Sequence, residues 1–123
     1  MPSVIQKKSY NSVTVFWLDK DLLKANILKA VDDLVHHYPE IKMVALFGSI
    51  AEGRGVPSSD VDILIAVDKS PHRPIDRGLP FQKYFEGIGL GTDLFVYTEE
   101  EIATGGIPLV NTALKKGTIL FQR

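Results

Sequence analysis

Apolar residues recur along this chain in two rhythms. Leu23, Ile27, Ala30, Val31, Leu34 and Tyr38 are spaced by 4, 3, 1, 3 and 4 residues. That spacing places them on one face of an amphipathic helix. Asp19 stands where an N-cap is needed, and Pro39 stops the helix. The second rhythm is shorter and marks strands. Val13–Leu18 is β-branched and aromatic, which favours a strand. Met43–Phe47 is a short apolar run, as expected of a buried strand. In Val61–Val67 the residues Val61, Ile63, Ile65 and Val67 fall on one face, and Asp60, Asp62 and Leu64 on the other. Thr92–Tyr97 predicts a further strand with Asp93, Phe95 and Tyr97 on one side, and Thr118–Phe121 a terminal one.

Between these lie connectors and short helices. Gly48-Ser49 ends the Met43–Phe47 run abruptly, and Ser49–Glu52 suits a helical turn. Gly53–Ser59 is loop by composition. Asp68–Pro80, rich in Pro and charge, predicts a mobile loop, and Phe81–Glu86 a short helix. Glu99–Ala103 reads as a helical turn with acidic residues at the end the helix dipole favours. Pro108 opens a last helix reaching Lys116, and Gly117 is a natural residue to follow its end. Alternating strands and helices predict an α/β (α+β) fold, a mixed sheet with helices packed mainly on one face.

Composition narrows the classes. The 123 residues suit one domain, residues 1–123, with a single core. Apolar residues make up 45% and charged residues 24%, as in soluble globular proteins. The formal net charge of −1 argues against a bulk electrostatic grip on nucleic acid or anionic lipid. There is no cysteine, so any metal is held by oxygen or imidazole. His36 and His37 close a predicted helix, where cations suit the dipole better than zinc would. No apolar run approaches the roughly 18 residues that span a bilayer. Met1–Tyr10 lacks an apolar signal core, and a cytoplasmic protein is expected. The oligomeric state is open, with a homo-oligomer among the options.

Three acids sit at ends of predicted strands. Asp60 and Asp62 are two residues apart, about 7 Å along a strand, and point to the same side. Mg²⁺ takes oxygen ligands and binds through a few carboxylates plus substrate phosphates. Asp93 completes the set if its strand lies alongside, a pattern that two-metal phosphoryl chemistry requires. Gly48-Ser49 supplies the complement. A strand running into Gly-Ser and a short helix exposes backbone N–H groups and a hydroxyl to an anion. Ser59 suits a turn that orients Asp60, and Arg54 is a candidate phosphate contact.

Leu46-Phe47-Gly48-Ser49-Ile50-Ala51-Glu52-Gly53, followed by Ser59-Asp60-Val61-Asp62-Ile63-Leu64-Ile65, resembles the minimal nucleotidyltransferases of the DNA polymerase β superfamily. Their pattern is Gly-Ser-x-Ala-x-Gly, a short loop, Ser-Asp-x-Asp in a hydrophobic strand, and a later acid, matched here by Thr92-Asp93-Leu94. The resemblance implies a nucleotidyltransferase core in which Gly48, Ser49, Arg54 and Ser59 hold the triphosphate of ATP. Asp60, Asp62 and Asp93 would bind Mg²⁺ and carry catalysis. It also implies an antitoxin that neutralises a HEPN-domain toxin by adding AMP to a protein hydroxyl. One position departs: residue 52 is Glu where the family often has a cation, and Arg54 is expected to take over that role. Two other readings compete with this one. A non-catalytic antitoxin-like module would neutralise by contact alone. A small-molecule (antibiotic) nucleotidyltransferase would need a partner chain to bind its acceptor.

Overall fold

A computed structural model describes residues 3–123; Met1 and Pro2, the start of the segment read for a signal peptide, lie outside it. The chain opens with a hairpin of β1 (Ile5–Tyr10) and β2 (Val13–Leu18). Helix α1 (Lys20–His37) follows, then β3 (Ile41–Phe47) and the single turn α2 (Gly48–Ala51). After a loop come β4 (Val61–Val67), a 3-10 turn at Pro74–Asp76, α3 (Leu79–Gln82) and a 3-10 turn at Lys83–Phe85. The rest is β5 (Thr92–Thr98), α4 (Glu99–Thr104), α5 (Pro108–Lys116) and β6 (Thr118–Gln122).

Strands β3 to β6 form one mixed sheet in the order β5-β4-β3-β6. β3 runs antiparallel to β4 and β6, while β4 and β5 are parallel. The two central strands, β3 and β4, are buried on both faces, which is why each reads as a continuous apolar run rather than an alternation. On one face α1 packs Leu23, Ile27, Val31 and Leu34 against Val44, Leu46, Ile63 and Ile65, with Phe81 and Phe85 closing that layer. The other face is thinner: Val110 and Ala113 of α5 cover Met43, Ala45, Phe47, Leu64 and Ala66.

Packing dominates the formation of α1. Burying each of its large apolar side chains stabilises by about 1.5–3 kcal/mol, more than any propensity difference among ordinary residues. Its ends are fixed by polar groups. The Asp19 carboxylate accepts the Leu22 N–H at 3.0 Å. At the far end the Arg123 guanidinium donates to the carbonyls of Val35 and Ile41. His36 and His37 donate ring N–H groups to the carbonyls of Asp32 and Asp33 one turn back, so both act within the helix.

Three expectations need correction. β1 was not foreseen; it pairs with β2 across a turn in which Asn11 has φ 53°. The segment read as mobile, Asp68–Pro80, is tied down near its end. Arg77 is buried there and donates to the His72 carbonyl, the Val96 carbonyl and the Glu101 carboxylate. Gly117 follows α5 as foreseen, but with extended backbone. Its role is close approach: a Cβ there would strike the Ala113 carbonyl and lie 2.6 Å from the Leu46 carbonyl.

Candidate active site

The end of β3, the start of β4 and the start of β5 meet at one edge of the thinner face. Phe47 pairs with Asp62 across β3 and β4, and Asp62 pairs with Asp93 across β4 and β5. The parallel register therefore supplies the adjacency that the sequence could only suppose. Asp62 and Asp93 stand side by side on strands about 4.8 Å apart. Both lie on the face that carries Leu64, Ala66, Phe95 and Tyr97.

Gly48 closes the site from the β3 side. It has φ +80°, and a Cβ on it would collide with the Asp62 carboxylate oxygen Oδ2. Only glycine meets both demands, a left-handed backbone and near contact with the carboxylate. Ser49 then enters the first turn of α2, whose N-cap residue Phe47 makes no side-chain cap bond. The N–H groups of that turn are not claimed by a cap.

Asp60 sits just before β4, so strand alternation does not set its direction. Its carboxylate turns toward the β5 side, where a Cβ on Gly91 would lie 2.7 Å from Oδ1. It stays close enough to Asp62 for the two charges to interact. Gly91 was not singled out from sequence; its signal was a glycine immediately before the acidic start of a strand. Its carbonyl also accepts the Val61 N–H at 2.8 Å, locking the entries of β4 and β5 together.

The electrostatics are those of a carboxylate cluster. Burial holds the Asp62 carboxyl above its ordinary range, and the charges of Asp93 and then Asp60 push it further. Among the described residues no Lys, Arg or His forms an ion pair with any of the three. No three acidic or imidazole side chains converge into a ready-made cage there either. This donor set still fits Mg²⁺. The ion is hard, prefers carboxylate oxygen, and usually completes its shell with water and substrate phosphate rather than an all-protein cage.

The remaining predicted residues hold the loop. Ser59 Oγ accepts the Val56 N–H at 2.9 Å and the Ser59 N–H donates to the Val56 carbonyl, so Ser59 shapes the turn before Asp60. Arg54 is exposed; its guanidinium lies 3.4 Å from the Glu52 carboxylate, and its backbone N–H donates to the Ser49 carbonyl. Arg54 thus sets a positive charge beside Glu52 at the edge of the turn. The aspartates line neither the cleft of about 210 Å³ beside Leu18, Lys24 and Ile50 nor the cavity of about 570 Å³ beside Tyr38, Arg77 and Phe81.

Known proteins share the chain's family and fold. Residues 29–123 match the family described as polymerase beta, nucleotidyltransferase. The chain belongs to that family, and its fold is that of a nucleotidyltransferase domain. A candidate protein adenylyltransferase of Methanocaldococcus jannaschii is 38% identical over 56 residues, 45% of this chain and 56% of that protein. The match thus spans little more than half of that relative's length. The crystal structure of a candidate nucleotidyltransferase from Sulfolobus solfataricus has a TM-score of 0.60 at 23% identity, covering 84% of this chain and 82% of the other. A toxin–antitoxin crystal structure with AMP-PNP has a TM-score of 0.61 at 21% identity, covering 78% and 73%. The toxin–antitoxin MntA-HepT gives 0.56 at 19%, covering 81% and 73%. At these identities the solved structures speak for the fold. Among the described residues no helix is long and apolar enough to cross a membrane.

Proposed function

We propose that the chain transfers AMP from ATP to a hydroxyl of a partner protein in a Mg²⁺-dependent reaction, and that the partner is a HEPN-type toxin which it neutralises. The observation that carries the chemistry is the contact of Gly48 with the Asp62 carboxylate, with Asp93 as its strand neighbour. It sets the Gly48-Ser49 turn, which would bind phosphate, on the same rim as the acidic cluster. The protein acceptor and the toxin partner are supported by the adenylyltransferase relative and by the toxin–antitoxin neighbours of the same fold.

The roles follow from position. Ser49 and the N–H groups of the α2 turn bind triphosphate oxygens, an arrangement that costs no side-chain charge. Asp60 and Asp62 would hold Mg²⁺, with Asp93 beside them. An ion held there would supply positive charge to offset that of the phosphates during transfer. Asp93, exposed at the start of β5, takes the proton of the incoming hydroxyl. That oxygen bonds to the α-phosphorus as the bond to the β-phosphate bridge breaks, and pyrophosphate leaves.

A second reading is favoured by the Glu52–Arg54 ion pair. A carboxylate near the triphosphate weakens its binding, and a chain that neutralises by contact alone needs no turnover. The double substitution Asp60→Asn with Asp62→Asn separates the two. Loss of neutralisation with the complex still formed supports catalysis; neutralisation that persists unchanged overturns it.

A further inference from the structure

The hairpin of β1 and β2 precedes the residues that match the family, 29–123, and the nucleotidyltransferase site does not use it. It is not joined to the main sheet. Tyr10, Val13, Val15, Phe16 and Trp17 are 45 to 59% exposed, a density of bare apolar side chains that a lone two-stranded hairpin does not sustain in water.

Its two edges differ. β1 carries Lys7 and Lys8, the kind of charge that blocks pairing at a sheet edge. β2, Val-Thr-Val-Phe-Trp-Leu, has no charge, proline or glycine. We propose that β2 is the dimerisation edge of this chain: two copies pair their β2 strands antiparallel about a two-fold axis, giving a four-stranded sheet in the order β1-β2-β2-β1.

The occupant follows from pattern and charge. Leu18 is committed to the core, so the free run is residues 13–17, whose midpoint is Val15. With the axis on Val15, Val13 of one copy faces Trp17 of the other and Thr14 faces Phe16. Aromatic residues opposite β-branched ones are favourable cross-strand pairs. The lysines end on the two outer strands, away from each other, whereas pairing through β1 would set them together. Two short strands bury too little for an obligate dimer, so the association is reversible and rises with concentration.

Sedimentation velocity on the full chain over a concentration series tests this. A monomer–dimer equilibrium is expected, and Val15→Lys should shift it to monomer, with Tm equal to that of the wild type at concentrations where both are monomeric. Because the chain has no cysteine, single cysteines give an independent readout. Val15→Cys should cross-link on mild oxidation, its two copies being directly opposed. Val13→Cys should not, its copies standing about 13 Å apart along the strands. The cross-link comparison decides even if lysine perturbs the hairpin. A chain monomeric at every concentration overturns the proposal, even if another protein then seats on β2. So does a dimer indifferent to Val15→Lys, or equal cross-linking of the two cysteine variants.

Discussion

Gly48 has no tolerated substitute on physical grounds. Alanine there must adopt a strained φ and also displace the Asp62 carboxylate. Gly48→Ala is expected to cost about 1–3 kcal/mol, measurable by denaturant titration, and to lower nucleotidyl transfer far more than it lowers stability. Asp62 makes a pH-dependent prediction. Its folded-state carboxyl is raised, first by burial and then by Asp93 and Asp60. Between the unfolded and folded values the native state holds the extra proton, so stability falls as pH rises through that window and stays reduced above it. Asp62→Asn should therefore raise the Tm of the metal-free chain at neutral pH and flatten its acid-side dependence. It should also abolish any Mg²⁺-induced rise in Tm, since a ligand stabilises only what it binds. A variant whose Tm falls, or which still responds to Mg²⁺, contradicts this account of the cluster. The Gly-Ser and Asp-x-Asp residues were readable from sequence because a charge inside an apolar strand is costly without a task. The closeness of Gly91 to Asp60 was not, because it depends on how β5 enters the sheet beside β4.

At the scale of elements, the long segment between β4 and β5 depends on one side chain. Arg77 is buried and joins the 3-10 turn to the capping box of α4: Glu101 accepts both its guanidinium at 2.5 Å and the Thr98 N–H. The hydrogen bond from Arg77, then that from Thr98, holds the Glu101 carboxyl below its ordinary range. This contribution is complete above the unfolded value and is lost as pH falls through the folded one. Arg77→Met should destabilise by about 2–4 kcal/mol, because it leaves the Val96 and His72 carbonyls without their donor; thermal melts check it. Helix α5 was read from sequence with its final bounds, since Pro108 and Gly117 punctuate it. β1 was not, because Ile-Gln-Lys-Lys-Ser-Tyr does not alternate and its pairing is set by β2 across the turn at Asn11. The hold on residues 68–80 was equally hidden: nothing in a Pro-rich charged stretch marks which arginine is buried.

At the scale of the whole molecule, the proposed function rests on sheet order. The parallel placement of β5 beside β4 puts Asp93 next to Asp62, a long-range adjacency that local patterns could not reveal. The same order leaves a thin helical layer on the face that carries both aspartates. The central claim is that this rim transfers a nucleotide to a partner protein. The most direct measurement is transfer from α-³²P-labelled ATP, with Mg²⁺, to a co-purified toxin partner, comparing the wild-type chain with Asp62→Asn. The account predicts labelled partner with the wild type, none without Mg²⁺, and at least about a hundredfold less with the variant, the scale of losing one preorganised electrostatic group. Label that accumulates equally with Asp62→Asn, or no label from a wild-type chain that binds ATP and Mg²⁺, would contradict it.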